Sequence, residues 1–216
     1  DKELLKEHHE GLICLSACLA GEIPKLIERG EKIRAKEVAL WYNDVFGQGN
    51  FYLEIQNHNI AEQAKVNDGL ITLSKETGIP LVATNDVHYI DREDSKIQKI
   101  LICIATNHTI DEENSLEFET DNFYLKSEEE MKTIFGYVPE AIENTQKIAD
   151  MCNFDFEFGN TKLPNFNVPD DQTHFDYLRN KCYSGLKERY GNNPDQLYID
   201  RLEYELSVIN NMGYVD

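Results

Sequence analysis

Apolar positions along the chain come in two rhythms, short continuous runs and stripes spaced three or four residues apart, and the two alternate. Residues 3–9 form a short polar helix pattern. The run Leu12–Leu15 predicts a short buried strand. In "EIPKLIERGEKIRAKEVALWYNDVFG", Ile23, Leu26, Ile27, Ile33, Val38, Trp41, Tyr42 and Val45 recur at helical spacing; Gly30 divides them between two helices and Gly47 stops the second. "NFYLEIQ" is rich in aromatic and branched residues and predicts a strand. A helix follows, with Ala61, Ala64, Val66, Leu70, Ile71 and Leu73 on its apolar side and Gly78 as its stop. "IPLVAT" predicts a strand covered on both faces. "REDSKIQKILICIAT" predicts a helix with Ile97, Ile100, Leu101 and Ile104 on one stripe.

Strand and helix in strict alternation predict βα units and a parallel sheet or barrel. Three strands are too few to close a barrel, so further units are expected ahead of Asp1. From about residue 107 the pattern changes to an acidic, irregular stretch. Ser127 with Glu130 makes a capping box and opens one helix; Pro139 opens the next. "FDFEFGNTKLPNFNVP" is an extended linker, and two helices near 172–190 and 196–212 finish the chain. The expected organisation is α/β over residues 1–160, followed by a mainly helical part over 161–216.

Charge narrows the function. The 216 residues carry 40 acids against 21 Lys and Arg, a formal net charge of −19. A surface that grips nucleic acid needs clustered cations to displace counterions, so this stretch alone is a poor holder of a DNA backbone. Five cysteines with no paired spacing and no leader segment predict reduced thiols and a cytoplasmic setting; Cys14 and Cys103 fall in apolar runs and read as core residues. No run is apolar enough for a membrane span. His8, His9, His108 and His174 lie in polar surroundings and read as surface residues. There is no nucleophile elbow and no phosphate-cradling glycine loop.

The chemistry gathers at strand exits, where parallel α/β folds place it. Asp86 and His88 follow the third strand, two residues apart, and are expected on one side of an extended segment. Cys18 follows the first strand; Glu54 and His58 mark the exit of the second. Carboxylate and imidazole together suit Zn²⁺, Mn²⁺ or Fe²⁺, which accept mixed nitrogen and oxygen donors. A lone D-x-H triplet is commonly a turn Asp beside a surface His, and a Cys in "SACLAG" is commonly a small buried residue. The coincidence at three exits is what favours a site.

In order along the chain, "EGLICLSACLAGEIPKLI", the stretch from "FYLEIQNHN" to "KILICIAT", "FYLKSEEEM", "PEAIENTQKIADMCN", "LPNF" and "RLEYELSVINNMGY" resemble the alpha subunits of bacterial replicative DNA polymerase III. That resemblance implies the later part of a PHP (polymerase and histidinol phosphatase) domain, a distorted TIM-like barrel, followed by the start of the polymerase palm. It implies metal ligands at Cys18, Asp86 and His88, with Glu54 and His58 as neighbours, and a divalent ion (Zn²⁺ or Mn²⁺) serving a 3′-to-5′ exonuclease. In the whole subunit it implies DNA and deoxynucleotides as substrates, Mg²⁺ for polymerisation, and the sliding clamp, proofreading and clamp-loader subunits as partners. The family's N-terminal metal ligands are absent from this chain, and its polymerase aspartates are expected beyond Asp216. The 216 residues alone are therefore expected to be inactive. Two other readings stand beside this one: a PHP domain serving only for stability and subunit docking, and a freestanding small-molecule phosphoesterase. The palm-like C-terminal segment counts against the latter.

Overall fold

A computed structural model describes residues 1–112, 118–160, 164, 166–169 and 171–215. The acidic stretch after residue 107 and the "LPNF" segment thus lie partly outside the described residues. The chain divides by its contacts into two compact units, Asp1–Phe154 and Asp155–Asp216.

In the first unit the order is α1 (Lys2–Glu7), β1 (Cys14–Leu15), α2 (Glu22–Glu28), α3 (Lys32–Phe46), β2 (Phe51–Ile55), α4 (Ala61–Thr77) and β3 (Leu81–Ala83). A single 3₁₀ turn (Arg92–Asp94), α5 (Ser95–Thr106), α6 (Glu128–Phe135) and α7 (Pro139–Met151) complete it. The three strands form one parallel sheet in the order β1-β2-β3. Cys14 pairs with Phe51 and Leu53 with Leu81, so all three strands end on the same edge. The strands build an open sheet, and the α/β class read from the alternating pattern holds.

Burial explains why β2 is the centre. Phe51, Leu53 and Ile55 are fully enclosed and Tyr52 nearly so, which requires cover on both faces. Helices α3 and α4 pack on β2 and α7 packs on β3. Each fully buried side chain of this size stabilises by about 1.5–3 kcal/mol relative to exposure. Helix α4 stops where Gly78 adopts φ +75°, a left-handed cap that a Cβ would strain. The box of Ser127 and Glu130 starts α6 as expected.

Four expectations are corrected. Strand β1 is shorter than Leu12–Leu15 and only half-buried, with Leu12 exposed, because it lies at the sheet edge. Ala61 and Ala64 face solvent, while Gln63 and Asn67 turn inward beside Val66 and Leu70. The stripe of α5 is uncovered: Ile97, Ile100, Leu101 and Ile104 are 47–71% exposed, and Cys103 is the residue of that helix that is buried. Cys14 is half-buried rather than fully enclosed.

The second unit contains α8 (His174–Tyr190) and α9 (Gln196–Asn211). The Glu203 carboxylate accepts from Arg179 Nη2 at 2.8 Å and from Tyr183 Oη at 2.5 Å, joining the two helices. No helix among the described residues is long and apolar enough to cross a membrane.

Candidate metal centre

The site is assembled from three loops that leave the same sheet edge. Beyond β3 the backbone abandons strand geometry at once. Asp86 has φ +46°, a left-handed conformation that costs a residue with a Cβ roughly 1–3 kcal/mol. Asp86 and His88 therefore converge through a turn, not through strand alternation. Asp86 Oδ1 stands 3.4 Å from His88 Nε2, with both side chains about one-third exposed. That separation is long for a charged hydrogen bond. Two donors each about 2.1 Å from one ion at a tetrahedral angle would lie roughly 3.4 Å apart.

Polar side chains that carry no ligand role hold this turn. Asn85 Nδ2 donates to Tyr124 O at 2.7 Å, and Lys126 Nζ donates to Asn85 Oδ1 at 3.1 Å. Lys126 is buried, also donates to Asn122 O, and lies 4.4 Å from the centroid of the Tyr124 ring. Burial lowers its pKa. The His88 and Tyr89 amides both point at Phe123 O, and Tyr89 bridges to Tyr124. The His88 ring packs on Phe118 and, edge-on, on Phe123.

His58 lies at the base of this arrangement and is fully buried. Its Nε2 donates to Asn85 O at 2.8 Å, and its Nδ1 accepts from Gln63 Nε2 at 2.7 Å. The tautomer follows from Gln63, whose Oε1 already accepts from the His58 amide. Both ring nitrogens are thus occupied within the chain, and burial holds the imidazole pKa below its ordinary value. His58 is a neighbour of the site and a support for it.

At the first exit, Ala17 also takes a left-handed conformation, φ +66°, immediately before Cys18. Cys18 is half-buried and, like the other four cysteines, unpaired. Gly21 closes this loop with its amide on Cys18 O at 2.8 Å; a Cβ there would stand 2.4 Å from Ser16 O. Nearby, burial and the Glu54 charge push the Cys14 thiol up to about 11, which keeps it protonated. Among the described residues no three His, Cys, Asp or Glu side chains are gathered closely enough to hold an ion. The structure joins Asp86 with His88 and leaves Cys18 at the exit of β1, with β2 lying between β1 and β3 in the sheet.

Sequence patterns had not singled out Ser16, Ala17, Gln63, Asn85 or Lys126. The available signal was Gln63 and Asn67 at inward positions of α4, where periodicity calls for apolar residues.

Two family models match parts of the chain: a PHP domain over residues 1–58 and a bacterial DNA polymerase III alpha NTPase domain over residues 176–216. Over its whole length the chain is also similar to two curated proteins named DNA polymerase III subunit alpha. The one from Borreliella burgdorferi is 45% identical over 216 residues, covering 99% of this chain and 19% of that protein. The one from Treponema pallidum is 44% identical, covering 100% of this chain and 18% of that protein. The chain belongs to the DNA polymerase III alpha-subunit family. It spans about a fifth of the length of these alpha subunits. Within this alpha-subunit segment the PHP match holds α1 to β2 with Cys18, Glu54 and His58, whereas Asp86 and His88 lie beyond it. The second match takes in most of α8 and all of α9.

Proposed function

We propose that this chain is part of a DNA-directed DNA polymerase, with residues 1–160 forming the later part of a PHP domain on a partial barrel and 161–216 the entry to the palm. Asp86 and His88, joined by Cys18, would contribute ligands to a divalent ion, Zn²⁺ or Mn²⁺. The observation that carries this is the Asp86–His88 pair, 3.4 Å apart at the exit of β3, on the same sheet edge as the Cys18 loop. A bound divalent ion supplies a Lewis acid and lowers the pKa of water, the chemistry of phosphodiester hydrolysis. The chain's own residues would supply part of the shell: a carboxylate oxygen, an imidazole nitrogen and a thiol. Asn85, Lys126 and His58 would keep the β3 turn in its left-handed form. In the whole subunit the proposal includes DNA and deoxynucleotides as substrates, Mg²⁺ for polymerisation, other replisome subunits as partners and a cytoplasmic location. By itself this stretch is expected neither to polymerise DNA nor to bind a complete metal cluster.

Elemental analysis of the full subunit and of this chain, each beside Cys18→Ser, Asp86→Asn and His88→Ala, tests the reading. Metal in the full subunit that falls with each substitution supports it. Metal content unchanged by all three, or no metal in the wild type, overturns it.

A second reading, a PHP domain kept for docking, is favoured by one observation. The uncovered apolar stripe of α5 has the character of a surface that another element covers.

A further inference from the structure

Glu54 stands at the centre of the three strand exits, and its carboxylate is spoken for by all of them. Oε2 accepts from the Ala17 amide at 3.0 Å. Oε1 accepts from Gln56 Nε2 at 2.9 Å and from Thr84 Oγ1. The donors come from the exits of β1, β2 and β3 in turn. The Glu54 amide itself donates to Ser16 Oγ at 2.8 Å, so the β1 exit is held by both the main chain and the side chain of one residue.

The cost of the arrangement is visible at Gln56. Its amide turns its N–H groups to Glu54 and Thr84, which leaves Oε1 buried without a hydrogen-bond partner, the one such side-chain atom among the described residues. Turning the amide over would set that oxygen against the carboxylate, so the demand of Glu54 for donors fixes its orientation. A carboxylate whose oxygens both accept from inside the chain is poorly disposed to be a ligand.

We infer that Glu54 is a positioning residue for Cys18: its hydrogen bond to the Ala17 amide holds the left-handed residue that aims the Cys18 thiol out of the β1 exit. This deepens the proposed function and rests on Cys18 belonging to the site. Ala17 needs such a tether because an alanine at φ +66° is unfavourable alone, whereas a glycine adopts that conformation freely. The volume of Glu54 is not what matters. A glutamine presents an acceptor on one side and a donor on the other, so it either sets an N–H against the Ala17 amide and breaks the tether, or keeps the tether only if the Gln56 amide turns over.

The test follows the alkylation rate of Cys18 with iodoacetamide, resolved by peptide mass spectrometry in the full chain, with Cys182 as internal control. Glu54→Gln is expected to change the Cys18 rate at least about threefold, the size that loss of one intramolecular hydrogen bond produces, and to leave Cys182 unchanged. Adding Ala17→Gly to Glu54→Gln is expected to return the rate toward wild type, since glycine needs no tether. A Cys18 rate within twofold of wild type in Glu54→Gln, or no recovery with Ala17→Gly, overturns the inference. If circular dichroism finds Glu54→Gln unfolded, the same rate is read in Thr84→Val, which removes one donor that orients the carboxylate; an unchanged rate there overturns it equally. The cobalt-to-thiolate absorption band of the Co²⁺-loaded full subunit separates the two claims. A band that Glu54→Gln leaves intact, with an unchanged alkylation rate, defeats the positioning role and spares the metal reading. No band, with a Cys18 rate that still depends on Glu54, does the reverse.

Discussion

The imidazole of His58 lies flat on the Phe123 ring, with centroids 3.9 Å apart and planes 11° from parallel. The contact ties the loop after β2 to the segment that also receives the His88 and Tyr89 amides. Thr120 Oγ1 adds a hydrogen bond to His58 O at 2.8 Å. The result is a buried neutral histidine on which the turn after β3 and the Thr120–Phe123 segment lean.

Burial lowers the His58 pKa from its ordinary 6.5. The unfolded chain therefore binds this proton more readily than the folded one, and stability falls as pH falls. The contribution is complete above about pH 6.5 and is lost as pH drops from there through the folded value. Urea midpoints measured between pH 5 and 8 should fall toward acid more steeply in wild type than in His58→Gln. Equal slopes would show that the imidazole titrates alike in both states.

Gly21→Ala should destabilise the first unit by about 1–3 kcal/mol, because the added methyl must displace the Ser16 carbonyl, which is backbone and cannot rotate away. Equilibrium urea unfolding measures the loss. Cys18 alkylation in the same variant should rise, since the loop that Gly21 closes carries the thiol.

Asn144 on α7 donates Nδ2 to Leu81 O at 2.7 Å in a buried setting, fastening that helix to the edge of β3. Asn144→Ala leaves the carbonyl without its donor and should cost about 1–3 kcal/mol. A loss below about 0.5 kcal/mol, the usual range of a surface substitution, would mean that packing alone seats the helix.

Leu101 on α5 is 54% exposed. Leu101→Glu should shift the urea-unfolding stability by no more than about 0.5 kcal/mol. A large destabilisation would mean that the stripe is covered within the chain.

Much of this protein was written locally. The order of βα units, the two helix starts at Ser127 and Pro139, the stop at Gly78 and the burial of Leu81–Ala83 follow from periodicity and turn chemistry within a few residues. So does the placing of Cys18, His58 and Asp86 after successive strands, because a parallel sheet puts every exit on one edge. Periodicity says which residues share a face; it does not say what covers that face. The α5 stripe was legible, and its exposure was not. The left-handed backbone at Ala17 and Asp86 was likewise beyond local reading, since neither is a glycine and each is held by distant groups. Glu54 lies 37 residues from the Ala17 amide it holds, and Lys126 lies 41 residues from Asn85. The convergence of Asp86 on His88 depends on such a turn, and tertiary hydrogen bonds from His58 and from the segment Phe123–Lys126 make that turn the stable one.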